Sequence, residues 1–485
     1  MKKLFYLFIT GFIFWSCSDK DDDAFVPNPS ENLEVQDFIW KGLNLWYFWQ
    51  GDVEDLSDTR FSSNQEYQDF LSSYSDPAEL FDHLKYYRSE SDRDRFSWIE
   101  EDYNDLINSQ QGIYKTNGVE FGLVQFSNSN DVFGYVRYIL PDSDASTKDI
   151  HRGDIFTGVN GTTLTVNNYQ DLLFGQNDSY TLNMADIENS TITPNGEEVS
   201  LIKHEYTENP VFVHTITEQG GRKIGYLMYN GFTRTFDTEL NAVFGEFKSE
   251  GITDLVLDLR YNPGGSVRSA LQLSSMITGQ FTGELFIRQR YNDKVQSQFP
   301  DSDLEDYFPD ELSDGSAINS LELNQVYVLA LGSSASASEL IINGLDPYIN
   351  VVHIGTTTTG KNEFSVTLVD DPGNSYIYNS NRSNNINKNH TWGMQPLLGR
   401  NENADGFSDY TEGLEPDIKF QEDLEDLGVL GNANEPLLAR AIQEITGISA
   451  RSLEIWPEMP IHDLTDSKHF TPMKDNMYIA PEKLK

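Results

Sequence analysis

The chain has 485 residues, room for about three folded units at roughly 150 residues each, which excludes a single small domain. Its 34 Lys and Arg face 77 Asp and Glu, a formal charge of −43, and so acidic a surface repels phosphate backbones and excludes nucleic acid as a partner. With 38% hydrophobic and 12% aromatic residues it is not a disordered acidic chain, and its one cysteine excludes both an intramolecular disulfide and a cysteine-cluster metal site.

Lys2 and Lys3 precede an apolar run from Leu4 to Trp15, then Ser16 and Cys17: a charged start, a short hydrophobic stretch and a small residue, the layout of an export signal over residues 1–17. The run is too short to span a bilayer comfortably, and no later stretch reaches the ~18 apolar residues that a spanning helix needs. Phe14-Trp15-Ser16-Cys17 resembles the lipobox of bacterial lipoproteins, with Phe14 in the usual place of leucine. Ser18-Asp19-Lys20-Asp21-Asp22-Asp23 resembles the acidic signal that sends Bacteroidetes lipoproteins to the cell surface. The resemblance implies lipidation at Cys17 and a membrane partner through that lipid. The protein is expected at the outer membrane or cell surface. The bare alternative is a cleaved secretory signal followed by a solvated acidic linker.

Residues 18–34, with Pro27 and Pro29, read as a tether. Over residues 35–111 the spacing of Phe38, Ile39, Leu43, Leu45, Trp46, Phe48 and Trp49 predicts a small helical domain whose aromatic stripe serves packing. Residues 112–208 change to short apolar runs broken by Asn, Asp and Gly, which predicts a β-rich module. Gly118-Val119-Glu120-Phe121-Gly122-Leu123, Ser143-Asp144-Ala145 and Arg152-Gly153-Asp154 through Asn160-Gly161 together resemble a PDZ domain. That resemblance implies capture of an extended peptide by strand addition, with the amides around Phe121, Gly122 and Leu123 receiving a terminal carboxylate.

From 209 to 450 apolar strands alternate with helical patterns, the signature of a mostly parallel α/β sheet. The strand candidates are Ile224 to Tyr229, Leu255 to Leu259, Val326 to Leu331 and Val351 to Ile354. Residues 282–320 read as an acidic insertion over the sheet edge, and Asp301, Asp303 and Asp306 there as a solvated face, since they lack the glycine and final glutamate of a calcium loop. Residues 451–485 read as a C-terminal extension. The eight histidines show no metal-ligand spacing, and no phosphate or dinucleotide fingerprint is present, so no cofactor or metal is implied.

Ligands of parallel α/β sheets bind at the carboxyl ends of strands, and three such ends carry candidate chemistry. Leu255 to Arg260 runs into Tyr261-Asn262-Pro263-Gly264-Gly265, where glycines free backbone amides to face a ligand, although the same residues suit an ordinary turn. Val326 to Leu331 runs into Gly332-Ser333-Ser334-Ala335-Ser336-Ala337-Ser338-Glu339. Ser336 at a helix start suits a nucleophile whose attack creates an oxyanion, but Ser336 and Glu339 also have the spacing of a capping box. The third end leads to Gly360-Lys361, and a crossover between neighbouring strands would bring Lys361 to the edge that carries Ser336. A Ser–Lys pair performs acyl transfer when burial lowers the lysine pKa.

These motifs in this order resemble the carboxyl-terminal processing, or tail-specific, serine peptidases over most of the chain, including Trp46-Tyr47-Phe48-Trp49, Gly413-Leu414-Glu415-Pro416-Asp417 and Asn434-Glu435-Pro436-Leu437-Leu438. The resemblance implies an α/β, crotonase-like peptidase core beside the PDZ-like and helical domains. It assigns Ser336 as nucleophile, Lys361 as base, and the amides of Ala337 and of Gly264 or Gly265 as oxyanion hole. Substrates would be proteins or peptides met at their C-termini. Ser365 stands where many members carry a glutamine that orients the lysine, so it takes that expected role. Glu363, on the same strand face as Lys361, is expected to raise the lysine pKa. These two positions leave open an alternative, a peptide-binding surface lipoprotein of weak or no catalytic activity.

Overall fold

The computed structural model describes residues 31–448, 461–472, 475–480 and 484. The export signal, Cys17 and the acidic run that follows it lie outside the described residues. Among the described residues no helix is long and apolar enough to cross a membrane.

The central sheet holds six strands in the order Val211–Gln219, Arg222–Tyr229, Asp254–Asp258, Gln325–Ala330, Asn350–Gly355 and Ile418–Lys419. The first pair is antiparallel and every later pair parallel, so the four strands predicted from the sequence lie side by side in chain order. Alternation assigns their side chains to two cores. Leu227, Leu255, Leu257, Val326 and Val328 face the helices Asp237–Glu250, Val267–Ile277 and Ala337–Leu345. Tyr226, Met228, Val256, Leu329 and Ile354 face the helix Pro436–Thr446. A parallel strand buried on both faces reads as an unbroken apolar run, which is why these four were legible.

The N-terminal part forms the helices Glu34–Trp46, Asn64–Ser72 and Pro77–Leu84. The third starts where Asp76 accepts the Ala78 amide hydrogen and Pro77 sits at the first helical position. Phe38, Ile39, Leu43 and Trp46 are buried in the same apolar cluster as the α/β core, as a packing role requires. Residues 282–320 contribute the strands Leu285–Tyr291 and Glu305–Tyr307 to a second six-stranded sheet. Phe286, Ile287 and Phe308 join the core, while Glu305 pairs with Arg288 at the surface.

The β-rich module is a sheet in the order Thr191–Ile202, Ser179–Glu188, Ile155–Val159, Val132–Ile139, Val119–Phe126 around its own apolar cluster. Its last strand is Ile461–Asp466, from the C-terminal extension, antiparallel to Val119–Phe126. Farther along, the short strand Met477–Tyr478 lies between Gly265–Ser266 and Glu363–Ser365 in the second sheet, parallel to both.

Candidate active site

The turn after Gln325–Ala330 is stitched to the glycine turn. Ser334 Oγ donates to Leu259 O at 2.8 Å, Ser338 Oγ donates to Asn262 O at 3.0 Å, and the Ala335 amide donates to the same Asn262 oxygen at 3.2 Å. Between them Ser336 adopts φ 64° and ψ −112°, a backbone strained for a residue with a Cβ. Ala337 opens the following helix, in the first turn, whose amides have no intrahelical acceptor.

The geometry separates the two readings of Ser336. Glu339 Oε2 accepts the Ser336 amide at 2.7 Å, so the glutamate half of the box forms. The reciprocal approach of Ser336 Oγ to the helix falls short of a hydrogen bond, leaving the hydroxyl fully buried and without a partner. Ser336 therefore keeps the geometry of a capping box, with its own side-chain half of the box looser than a full hydrogen bond.

Gly264 and Gly265 have φ of 109° and 132°, open to glycine and strained for other residues. A methyl at Gly264 would lie 2.6 Å from Ser336 Cβ and 2.8 Å from its Oγ, so only glycine lets this turn sit against the serine. In this structure the Gly264 amide donates to Asn262 Oδ1 at 2.9 Å and the Gly265 amide to the Asn476 carbonyl at 2.5 Å.

Lys361 is likewise fully buried. Gly360 before it has φ 81°, and a methyl there would lie 2.3 Å from Thr411 O. The two catalytic candidates meet on one carboxylate: Glu339 Oε2 accepts the amide of Ser336 and, at 2.9 Å, that of Lys361, while Oε1 accepts the Gly360 amide at 2.7 Å and the Thr358 hydroxyl. Burial pushes the Glu339 carboxyl up to about 7. The lysine ammonium lies 4.9 Å from the centre of the Phe96 ring and donates to the Asp475 carbonyl. Burial pulls Lys361 down to about 8, against the opposing pull of Asp475, Glu363, Asp94 and Glu339.

The expectation for Glu363 holds in direction. Glu363 does pull the lysine upward, but desolvation is the larger effect, and Arg400 takes up the Glu363 carboxylate at 3.1 Å. Ser365 does not hydrogen-bond to the lysine as expected. Its hydroxyl lies 2.7 Å from Asn476 Oδ1 and 3.1 Å from Met477 O, and it accepts from Gln395 Nε2 at 3.0 Å. Phe121, Gly122 and Leu123 lie on the strand Val119–Phe126, whose outer side Ile461–Asp466 occupies, and the Phe121 amide donates to Ser467 Oγ at 3.0 Å. The groove thus holds an internal stretch of chain, not a terminal carboxylate.

Sequence reasoning missed five contributors. Glu339 was weighed only as half of a cap. Asp94 and Phe96 surround the lysine from a loop without periodicity. Asp475 and Asn476 lie in an extension whose one signal was the apolar triplet Met477-Tyr478-Ile479, all three buried. Among the described residues no group of three or more His, Cys, Asp or Glu is placed to hold a metal ion.

Ser336, strained and with an unpaired hydroxyl on a strand-to-helix turn, thus sits against the glycine turn, and its backbone shares Glu339 with that of Lys361, a buried lysine of lowered pKa. Residues 34–98 match the peptidase S41 N-terminal domain and residues 223–396 match peptidase family S41. The chain carries the domains of that family and has carboxyl-terminal-processing proteases among its homologues. It is 25% identical over 262 residues to carboxyl-terminal-processing peptidase 3, chloroplastic, of Arabidopsis thaliana, covering 52% of this chain and 47% of that one. It is 31% identical over 144 residues to a carboxy-terminal-processing protease of Bartonella bacilliformis, covering 28% of this chain and 29% of the other. The chain thus spans half or less of the length of these curated relatives. A crystal structure from Bacteroides fragilis, of a protein assigned to the S41 proteases, superposes with a TM-score of 0.64 at 25% identity, covering 84% of this chain and 97% of that one.

Proposed function

We propose that the protein is an exported, lipid-anchored serine endopeptidase that hydrolyses peptide bonds near the exposed C-termini of protein substrates. The observation that carries the reading is the buried, unpaired Ser336 hydroxyl on a turn whose backbone shares the Glu339 carboxylate with the backbone of Lys361, a buried lysine whose pKa lies at about 8. With that pKa about a tenth of Lys361 is neutral at pH 7 and about half at pH 8, so a base is available without histidine.

In this mechanism Lys361 takes the Ser336 proton as Oγ attacks the peptide carbonyl. Amides of the glycine turn and of Ala337 receive the oxyanion, and the lysine passes its proton to the leaving amine. The β-rich module would act as the PDZ-like receptor, adding a substrate strand to Val119–Phe126. Lipid on Cys17 would hold the body at the outer membrane or cell surface. One acyl chain binds weakly, so the several chains of a bacterial lipoprotein are required.

The test is cleavage of an unstructured protein by the purified mature chain, with Ser336→Ala and Lys361→Ala alongside. Cleavage by the wild type and loss in both variants is expected. Equal cleavage by Ser336→Ala refutes the assignment. The occupied glycine amides and lysine specifically favour a second reading, a peptide-binding lipoprotein without turnover. Absence of cleavage once the C-terminal segment is displaced would favour it.

A further inference from the structure

The C-terminal extension visits both places where a peptide would bind. In the groove, Ile461–Asp466 pairs with Val119–Phe126, the Ser467 amide donates to Phe121 O at 2.9 Å, and the Phe470 ring stacks on Phe174 with centroids 3.8 Å apart. Lys468 anchors this stretch on Glu208 at 2.7 Å. In the cleft, Met477–Tyr478 is inserted between the glycine turn and the strand that follows the lysine. The Asp475 carbonyl takes the Lys361 ammonium and the Asn476 carbonyl takes the Gly265 amide. The Ile479 amide donates to Ser365 O at 3.1 Å.

A methyl placed on Gly264 would touch the Asn476 oxygen and Ser336 Cβ, each at 2.6 Å, so both border the same glycine. The carbonyl on the glycine turn is the one a nucleophile there would attack, and here it belongs to Asn476. Behind it Met477, Tyr478 and Ile479 are buried, and Ile479 and Ala480 border a cavity of about 320 Å³ of mixed lining, with Val267 and Leu271 beside Arg234, Arg268 and Asp306.

Building on the peptidase reading, we propose that the C-terminal segment is the protein's own first substrate: bound in cis through groove and cleft, it excludes other peptides and presents its Asn476–Met477 bond to Ser336. Ser336 Oγ bonds to the Asn476 carbonyl carbon. Its proton passes to Lys361 and then to the Met477 nitrogen as the C–N bond breaks. Water releases Asn476 as a carboxylate and restores the serine. Substrates in trans would then be extended C-terminal segments with large apolar residues behind the cut bond. A tethered segment acts at an effective concentration on the order of millimolar, so a free peptide of micromolar affinity competes poorly until the segment leaves.

Occupancy is tested without turnover, in the Ser336→Ala background, with a fluorescent peptide of residues 461–480. A chain ending at Ile448 removes the segment. Because that chain could fail to fold, the full-length Met477→Lys, Ile479→Lys variant is the second arm, with thermal unfolding run on both. At least tenfold tighter binding in a folded, loosened variant is expected, and unchanged binding in the folded double variant overturns the occupancy. Self-cleavage is tested by intact mass over time. Loss of residues 477–485 from the wild type, at a rate independent of protein concentration, with Ser336→Ala intact, supports the proposal. A wild type that cuts an unstructured protein but keeps its own 477–485 overturns self-cleavage and leaves the peptidase reading standing. If neither the wild type nor the loosened variant cuts anything, the peptidase reading fails, and self-cleavage with it.

Discussion

Ser336→Ala is the substitution for which the two readings of this residue give opposite signs. A serine that caps its helix costs about 0.5–2 kcal/mol on replacement by alanine. Here the hydroxyl makes no hydrogen bond and has no access to water. Burying a polar group unpaired costs about 1–3 kcal/mol, and alanine removes that cost while keeping the Cβ and the positive φ. Against this stands the loss of one atom's packing, on the order of 1 kcal/mol. The balance runs from no change to about 2 kcal/mol of added stability. In a chain of this size that is a rise of no more than about 2 °C in Tm. Cleavage of an unstructured protein should fall by about a thousandfold or more, because a base without its nucleophile does no covalent chemistry. Both are measured on one preparation, by thermal unfolding and by substrate cleavage. A fall in Tm with cleavage retained refutes the nucleophile and restores the cap.

Lys361→Met should also abolish cleavage, and its stability should depend on pH in a defined direction. The folded pKa lies near 8, below the unfolded value near 10.5, so holding the charge in the core destabilises the fold fully below pH 8 and not at all above about 10.5. The advantage of the methionine variant over wild type, followed by thermal unfolding, should therefore shrink as pH rises between those values; a constant difference would contradict a buried charged lysine. Glu363→Gln removes a negative neighbour and should move the alkaline rise of activity to lower pH, read from kcat/KM against pH. Cys17→Ala should release the protein from membranes or leave its signal uncleaved, as judged by fractionation and intact mass. Processed protein still partitioning with membranes would contradict lipidation at that residue.

The legible parts of this molecule are those where local pattern and environment agree. Leu255 to Leu257 and Val326 to Leu329 are apolar at every position because both faces of their strands are covered, and the turns behind them need glycine or a short polar side chain whatever packs nearby. What failed to show was set by tertiary neighbours. Spacing gives the direction in which Glu363 pulls Lys361 but says nothing of desolvation, which is the larger effect. The strands of residues 282–320 were masked by acidic surface positions beside Phe286, Ile287 and Phe308. Met477–Tyr478 is two residues long and has no pattern of its own; its pairing is supplied by Gly265–Ser266 and Glu363–Ser365, some 200 and 110 positions away.

The path between groove and cleft is fixed by buried charge. Arg152, beside the Gly153-Asp154 pair of the β-rich module, donates to Glu422 at 2.7 Å and to Tyr261 at 2.9 Å, while Arg260, fully buried on the glycine-turn strand, binds Asp258 at 2.7 Å, Glu435 at 2.6 Å and Glu422 at 2.9 Å. The two arginines hold Glu422 down at about 2, so that carboxylate stays ionised through the physiological range. Replacing such a cluster by apolar residues need not destabilise a fold, but removing one partner leaves an uncompensated buried charge and costs about 3–5 kcal/mol. Sliding the module against the core would separate several partners together, so the groove keeps its place relative to Ser336. Arg137 spans the remaining gap, holding Asp466 of the C-terminal segment at 2.8 Å with one nitrogen and Ser333, on the turn that carries Ser336, at 2.8 Å with another. Departure of the groove strand would therefore strip a nearly buried arginine of its carboxylate while the same side chain still holds the turn of Ser336.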